Sequence, residues 1–360
     1  MKKLFYILSM TLLCFPVTAN AHDFEIGTKD GQRLYFNITD SVKRTVEVTY
    51  SGSITSRSRN DYKGTLKLTP QVRYKNKIFS ITAIGAKAFS GSTELTSVEL
   101  PSGILHIDDF AFEGCSKLTR IAFPSNAIKI GTGAFFGCRS LNSIVVGSEW
   151  TSINLKDFQW SQNLRHIRIP ARVRSIKNLK ALGALESIEI DSDNQNFKSV
   201  NGVLYSKSGD ILYGCPKAYK DTLLIADGTK TIQFGSIADC RKISCVVIPA
   251  SVESLSFREF SLLPKLKEIV MMANKPIMTA RSNGKDVFLL SVANTDVKLL
   301  VNKQYKKDYS NQITVTSGEY TNIPSQGTSE DTAQMVYEVN SVLTIGKGII
   351  VGVKDFNHYK

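Results

Sequence analysis

Few residues in this chain have the type and spacing for chemistry. The four histidines, His22, His106, His166 and His358, are isolated from one another in sequence. His22 is the sharpest case. Cleavage after Ala21 would leave it at the N-terminus, where its amine and imidazole could bind copper beside a second histidine, yet nothing in the sequence supplies that partner. With Cys14 set aside in a leader, Cys115, Cys138, Cys215, Cys240 and Cys245 remain. Their number is odd and no pair has CxxC spacing, so they define no zinc or redox site, and any disulfide between Cys240 and Cys245 stays open. "DSDNQN", from Asp191, starts like a calcium loop, but Gln195 and Asn196 break the ligand pattern and the twelfth position is Gly202 instead of Glu. It reads as a loop. With no G-x-S-x-G elbow, P-loop or H-E-x-x-H, the sequence nominates no catalytic residue, metal or cofactor.

The remaining chemical signal is basic. "RHIRIPARVRSIKNLK" carries Arg165, Arg168, Arg172, Arg174, Lys177 and Lys180 with no acid between them. Guanidinium forks match sulfate and phosphate, and residues two apart on a strand share a face, which would bring Arg172 and Arg174 together. The candidate binding residues are therefore Arg165, His166, Arg168, Arg172, Arg174 and Lys177. The competing reading is an ordinary solvated face. The net charge of +13 at pH 7 also suits anionic partners such as acidic or sulfated glycans. Nucleic acid fits poorly, because no aromatics interleave the cations for base stacking.

What must position these residues is a repeat. "GAKAFSGSTEL" at Gly85, "DDFAFEGCSKL" at Asp108 and "GTGAFFGCRSL" at Gly131 are one phrase written at a constant step of 23 residues. Ile84, Ile107, Ile130, Ile153 and Ile176 fall on that step, as do Phe89, Phe112, Phe135 and Phe158. So do Leu95, Leu118, Leu141 and Leu164, each followed three residues later by Val98, Ile121, Ile144 or Ile167. Pro101, Pro124 and Pro170 close three units, with Gly147 in the missing slot. Each "LTSVELP" or "LRHIRIP" predicts a short strand, and each Gly-rich "AFxGC" half predicts a short helical turn. One such unit cannot bury its apolar face alone, so the units must stack into a solenoid. The Cys115 and Cys138 slot, also filled by Ser92 and Leu263, predicts a small buried packing position.

The step slips at Leu185 and Ile188. There an insertion near residues 194–216 predicts a β-hairpin, two strands around Ser-Gly-Asp in "NGVLYSKSGDILY". The phase resumes with the pairs Ile237/Phe260, Ile243/Leu266 and Val246/Ile269. Residues 22–80 alternate as strands and suit a β-rich N-terminal cap on a repeat array spanning 81–271. Residues 272–310 form a degenerate last repeat with "VKLLV" as its strand; 311–328 read as a linker and 329–360 as a tail with one strand candidate, "IGKGIIVGV". At the start, Lys2 and Lys3, an apolar run from Leu4 to Val17 and Ala19-Asn20-Ala21 have the form of a secretory signal peptide over 1–21. It is too short to span a membrane, and the mature chain offers no other transmembrane segment.

"IGAKAFSGSTELTSVELP" and "AFEGCSKLTRIAFP" resemble the BspA-like class of bacterial leucine-rich repeats, as does the inserted "NGVLYSKSGDILYGCP". The resemblance covers roughly residues 30–305. It implies a leucine-rich repeat solenoid, β-rich with short helical turns, in an exported or cell-surface protein of a Gram-negative bacterium. It also implies an adhesin-like, non-catalytic role: binding a host matrix protein, an anionic glycan or another cell-surface protein through a repeat face. The alternatives are a structural spacer without a specific ligand and a hydrolase with an unidentified site.

Overall fold

The computed structural model describes residues 22–28, 31–52, 62–126, 129–256, 259–260 and 262–273, with short pieces at 277, 280–282, 285–287, 290–291, 297–302, 315–316 and 349–353. The expected leader (1–21), His358 and nearly all of the expected linker and tail lie outside the described residues.

The repeated strands lie side by side. Glu94–Glu99, Arg120–Ala122, Ser143–Val145, His166–Ile169 and Ser187–Ile190 form a parallel sheet, and Lys63–Lys67 extends its edge. Ser97 pairs with Arg120, Arg120 with Ser143 and Val145 with Arg168, a register of 23 residues per rung. Between His166 and Ser187 the register shortens to 21, at the place where the sequence phase slips. A second side of the coil is made by Lys77–Ile84, His106–Ile107 and Lys129–Ile130, continued by the separate pair Ser152–Asn154 and Ser175–Lys177.

The third side is turns, and its regularity comes from the Phe column. Phe89, Phe112, Phe135 and Phe158 are fully buried and stack with ring centroids 4.9, 5.1 and 5.1 Å apart, one ring per rung. The expected helical turns are single turns of 3-10 type. Ala111 N donates to Asp108 O, Cys115 N to Phe112 O and Leu118 N to Cys115 O. Only Leu155–Phe158 and Leu179–Ala181 lengthen into 3-10 helices, and no α-helix occurs among the described residues. Longer helix is blocked because the glycine of each phrase takes positive φ (Gly91, Gly114 and Gly137 at 74°, 69° and 74°), which ends the turn. Backbone donors then bond to the next rung, Phe89 N to Ala111 O and Phe112 N to Ala134 O.

At the N-terminal end, Phe24–Gly27, Arg33–Asp40 and Thr45–Thr49 pair antiparallel, and the last of these joins Lys77–Ile84 in parallel. Phe24 and Phe36 belong to the same core as the Phe stack. The insertion holds three antiparallel strands where the hairpin reading had two: Phe197–Val200, Val203–Ser206 and Ile211–Gly214. The added strand is turned by Asn201-Gly202, both at positive φ, the dipeptide that suits a two-residue hairpin loop. Beyond it, Asp221–Leu224, Ile243–Ile248, Glu268–Met271, Lys298–Asn302 and Ile349–Val353 form another parallel sheet. The last two strands fall in the stretches "VKLLV" and "IGKGIIVGV". The buried side chains separate into two main clusters, one running from Phe24 to Leu204 and the other from Val203 to Val301. No helix among the described residues is long and apolar enough to cross a membrane.

Candidate functional site

Alternation along the first sheet turns Val98, Ile121, Ile144, Ile167 and Ile188 inward. Their neighbours face out in two rows. One row is Thr65, Ser97, Arg120, Ser143, His166 and Ser187; the other is Lys67, Glu99, Ala122, Val145, Arg168 and Glu189. The rows differ in chemistry. The first is polar, with His166 Nδ1 and Ser187 Oγ 2.7 Å apart. The second has an apolar middle, half-buried Ala122 beside Val145, which is 46% exposed. Ion pairs flank that middle: Lys67–Glu99 at 2.9 Å on one side and Arg168–Asp191 at 3.4 Å on the other.

The six residues nominated from sequence do not form one patch. Arg165, His166 and Arg168 sit on or beside the outward sheet. A turn at 171–172 then carries the chain away, and Ser175–Lys177 joins a different sheet, so Arg172 and Arg174 do not share a strand face. The absence of acids also held only along the chain, because neighbouring rungs supply them. Arg165 meets Glu186 at 2.6 Å and Arg172 is paired with Glu149. Desolvation pushes the Glu186 carboxyl up, but hydrogen bonds from Arg165 and Lys220 outweigh it and hold the group below its ordinary range. Arg174 has no carboxylate partner among the described residues and faces a cleft. Lys177 is exposed near it.

Lys180 turns inward. Its Nζ donates to Ala238 O at 2.7 Å, Ser236 O at 2.9 Å and Cys215 O at 3.4 Å, and lies 3.7 Å from Cys240 Sγ. It is a cross-link between the first repeats and those beyond the insertion. All five described cysteines are buried free thiols. The Cys115 and Cys138 thiols do more than pack, donating to Phe89 O at 3.1 Å and Phe112 O at 3.2 Å across the rungs.

The other sequence candidates resolve locally. The His22 ring packs on Tyr35 at 4.7 Å. Asp191 accepts from Asp193 N and pairs with Arg168, and buried Asn194 donates to Pro170 O and Val173 O, tying "DSDNQN" to the preceding rung. No group of three or more His, Cys, Asp or Glu suited to a metal occurs among the described residues.

The cleft that Arg174 faces has a volume of about 580 Å³ and lies where the insertion meets the array. Phe197, Tyr213, Phe234 and Ser236 line it with Arg174 and Asn178. Sequence reasoning missed the first four, since they come from the insertion and the rung after it. One signal was present: Phe234 is a large aromatic just after a column isoleucine (Ile232), where other rungs have Ala86, Asp109 or Thr132.

These rungs, their Phe column and their register define a leucine-rich repeat protein. The family model for the BspA type leucine-rich repeat region matches in six copies over residues 75–201 and 211–288, and the chain belongs to that family. The fold is similar to solved structures at low identity. A leucine-rich repeat protein from Bacteroides ovatus is 19% identical, with 81% of this chain and 82% of that chain covered at a TM-score of 0.44. The pneumococcal vaccine antigen PcpA is 17% identical, with 83% and 100% covered at 0.44. A leucine-rich cell surface protein from Faecalibacterium prausnitzii is 17% identical, with 82% and 95% covered at 0.42. No curated protein matches the sequence.

Proposed function

We propose that this protein is a non-catalytic, exported binding protein that holds another protein, from a host matrix or a cell surface, against its outward sheet. The observation that carries the reading is the composition of the second outward row. Ala122 and Val145 form an apolar centre, rimmed by Lys67–Glu99 and Arg168–Asp191. An apolar middle inside a polar rim is the anatomy of a protein interface. A polyanion cradle fits this sheet less well, because Arg165 and Arg168 already hold carboxylates. Export rests on the leader-like residues 2–21, and a BspA-type repeat scaffold is consistent with a binding role.

The test is surface plasmon resonance of residues 22–360 against a panel of host matrix proteins and bacterial surface proteins, with Val145→Glu as the variant. A specific partner that the variant loses by about tenfold or more, roughly 1.4 kcal/mol, supports the sheet face. A partner bound equally well by Val145→Glu moves the interface elsewhere. No partner at all leaves the spacer as the better reading.

A further inference from the structure

We infer that the cleft between the insertion and the repeat array is a second binding site, for an acidic saccharide, distinct from the outward sheet. Its volume of about 580 Å³ lies within the range of small-ligand sites, roughly 300–1,000 Å³. Three features of its wall select the ligand.

The first is charge. Arg174 lines the cleft without a carboxylate partner, whereas Arg165, Arg168 and Arg172 each have one. No acidic residue lines the cleft among the described residues, and the Lys180 ammonium, turned inward, spends its N–H groups on carbonyls. An unpaired guanidinium fork in such a wall selects a carboxylate or a sulfate.

The second is amide chemistry. Asn178 and Gln233 line the same cleft, and their side chains can both donate to and accept from the hydroxyls of a ligand.

The third is the aromatic wall. Phe234 is 56% exposed, and Phe197 and Tyr213 meet edge to face at 5.9 Å. Flat rings offer their faces to the C–H side of a pyranose. A purely apolar carboxylate would satisfy Arg174 and the rings but leave the amides unmatched. A bare anion would leave the rings idle. A sugar ring carrying one acid group uses all three.

The experiment is calorimetric titration of residues 22–360 with four oligosaccharides in two matched pairs: a uronate and its neutral counterpart, and a sulfated sugar and its neutral counterpart. The expected result is that at least one acidic sugar binds ten or more times more tightly than its neutral counterpart, with affinity falling as salt rises. Which acid binds separates carboxylate from sulfate recognition. Arg174→Met and Phe234→Ala should each weaken that binding about tenfold without shifting thermal unfolding, while Val145→Glu and Arg168→Met on the outward sheet leave it unchanged. Equal binding of the neutral sugars, unaltered binding by Arg174→Met, or no binding of any sugar would overturn the assignment. None of those outcomes touches the protein-binding reading, whose own variant lies on the other surface.

Discussion

Buried polar side chains tie one rung to the next, and two of them illustrate how. The Cys115 thiol, pushed up to about 12 by burial, stays protonated and spends its proton on the Phe89 carbonyl. Glu259, fully buried, accepts from the backbone N–H groups of Gly235 and Ile237 in the preceding rung. Desolvation raises its carboxyl from the ordinary 4.5 to about 7, against the pull of those two donors and of Lys180. The folded state therefore binds this proton more tightly than the unfolded chain does. Its contribution is complete below about pH 4.5 and is lost as the pH climbs through about 7. Asp157, raised to about 6 chiefly by burial, acts in the same direction. Urea midpoints should consequently fall between pH 5 and pH 8. Glu259→Gln should flatten that fall, with Asp157 supplying the residual slope, and should lower stability at pH 5 because the amide accepts only one of the two backbone donors. A midpoint independent of pH would contradict this account.

At the scale of the rung, the Phe stack is the main spring. Phe112 is sandwiched between Phe89 and Phe135 and has no exposed surface, so Phe112→Ala removes contacts on both sides and leaves a cavity that neighbouring rungs cannot close. The expected cost is about 3–5 kcal/mol, read from the urea midpoint. Because the rungs couple through nearest neighbours, amide exchange should accelerate over residues 62–190 well before it does over 221–271. The exception in the proline column has a rung-scale cause as well. A Cβ at Gly147 would sit 2.3 Å from Pro124 O and 2.9 Å from the Trp150 indole nitrogen, so no side chain fits where the other units carry Pro. Trp160 shows the opposite departure: it occupies the slot of Gly91, Gly114 and Gly137, with the same positive φ of 68°, and is 57% exposed.

Across the whole molecule, the insertion divides the core, and Lys180 crosses the division. Its ammonium satisfies carbonyls of Cys215, Ser236 and Ala238, while its own turn packs with the earlier rungs. Lys180→Met would take the charged donor from those carbonyls, leaving Ser236 O with the Cys215 N–H and the other two with the weak Cys240 thiol, and would remove the cross-link. Thermal unfolding of that variant should separate into two transitions, or separate further if two already exist, with hydrogen exchange assigning one to each cluster. A single cooperative transition with unchanged exchange in both halves would show that Val203, Leu204 and the strand pairing of the insertion suffice to couple them.

The sequence by itself determined the solenoid. Ile, Phe and Leu columns at a constant step specify which residues face the core, and burial of those columns needs no information beyond the step itself. The slip at Leu185 was legible for the same reason, and it reappears as the shortened His166–Ser187 register. Only the tertiary structure decided the surfaces. A run of arginines free of acid along the chain acquires Glu149, Glu186 and Asp191 from adjacent rungs, since stacking brings residues about one repeat apart into contact and outward letters are free to vary. Arg174 escapes that pairing because the chain changes sheets between it and Arg168, and the cleft it faces is completed by Phe197 and Tyr213 from the insertion, which follows no repeat rule, and by Phe234 from the rung after it. Core positions obey a period, so one chain reveals them; contacts between rungs and insertion depend on how separate segments meet in space.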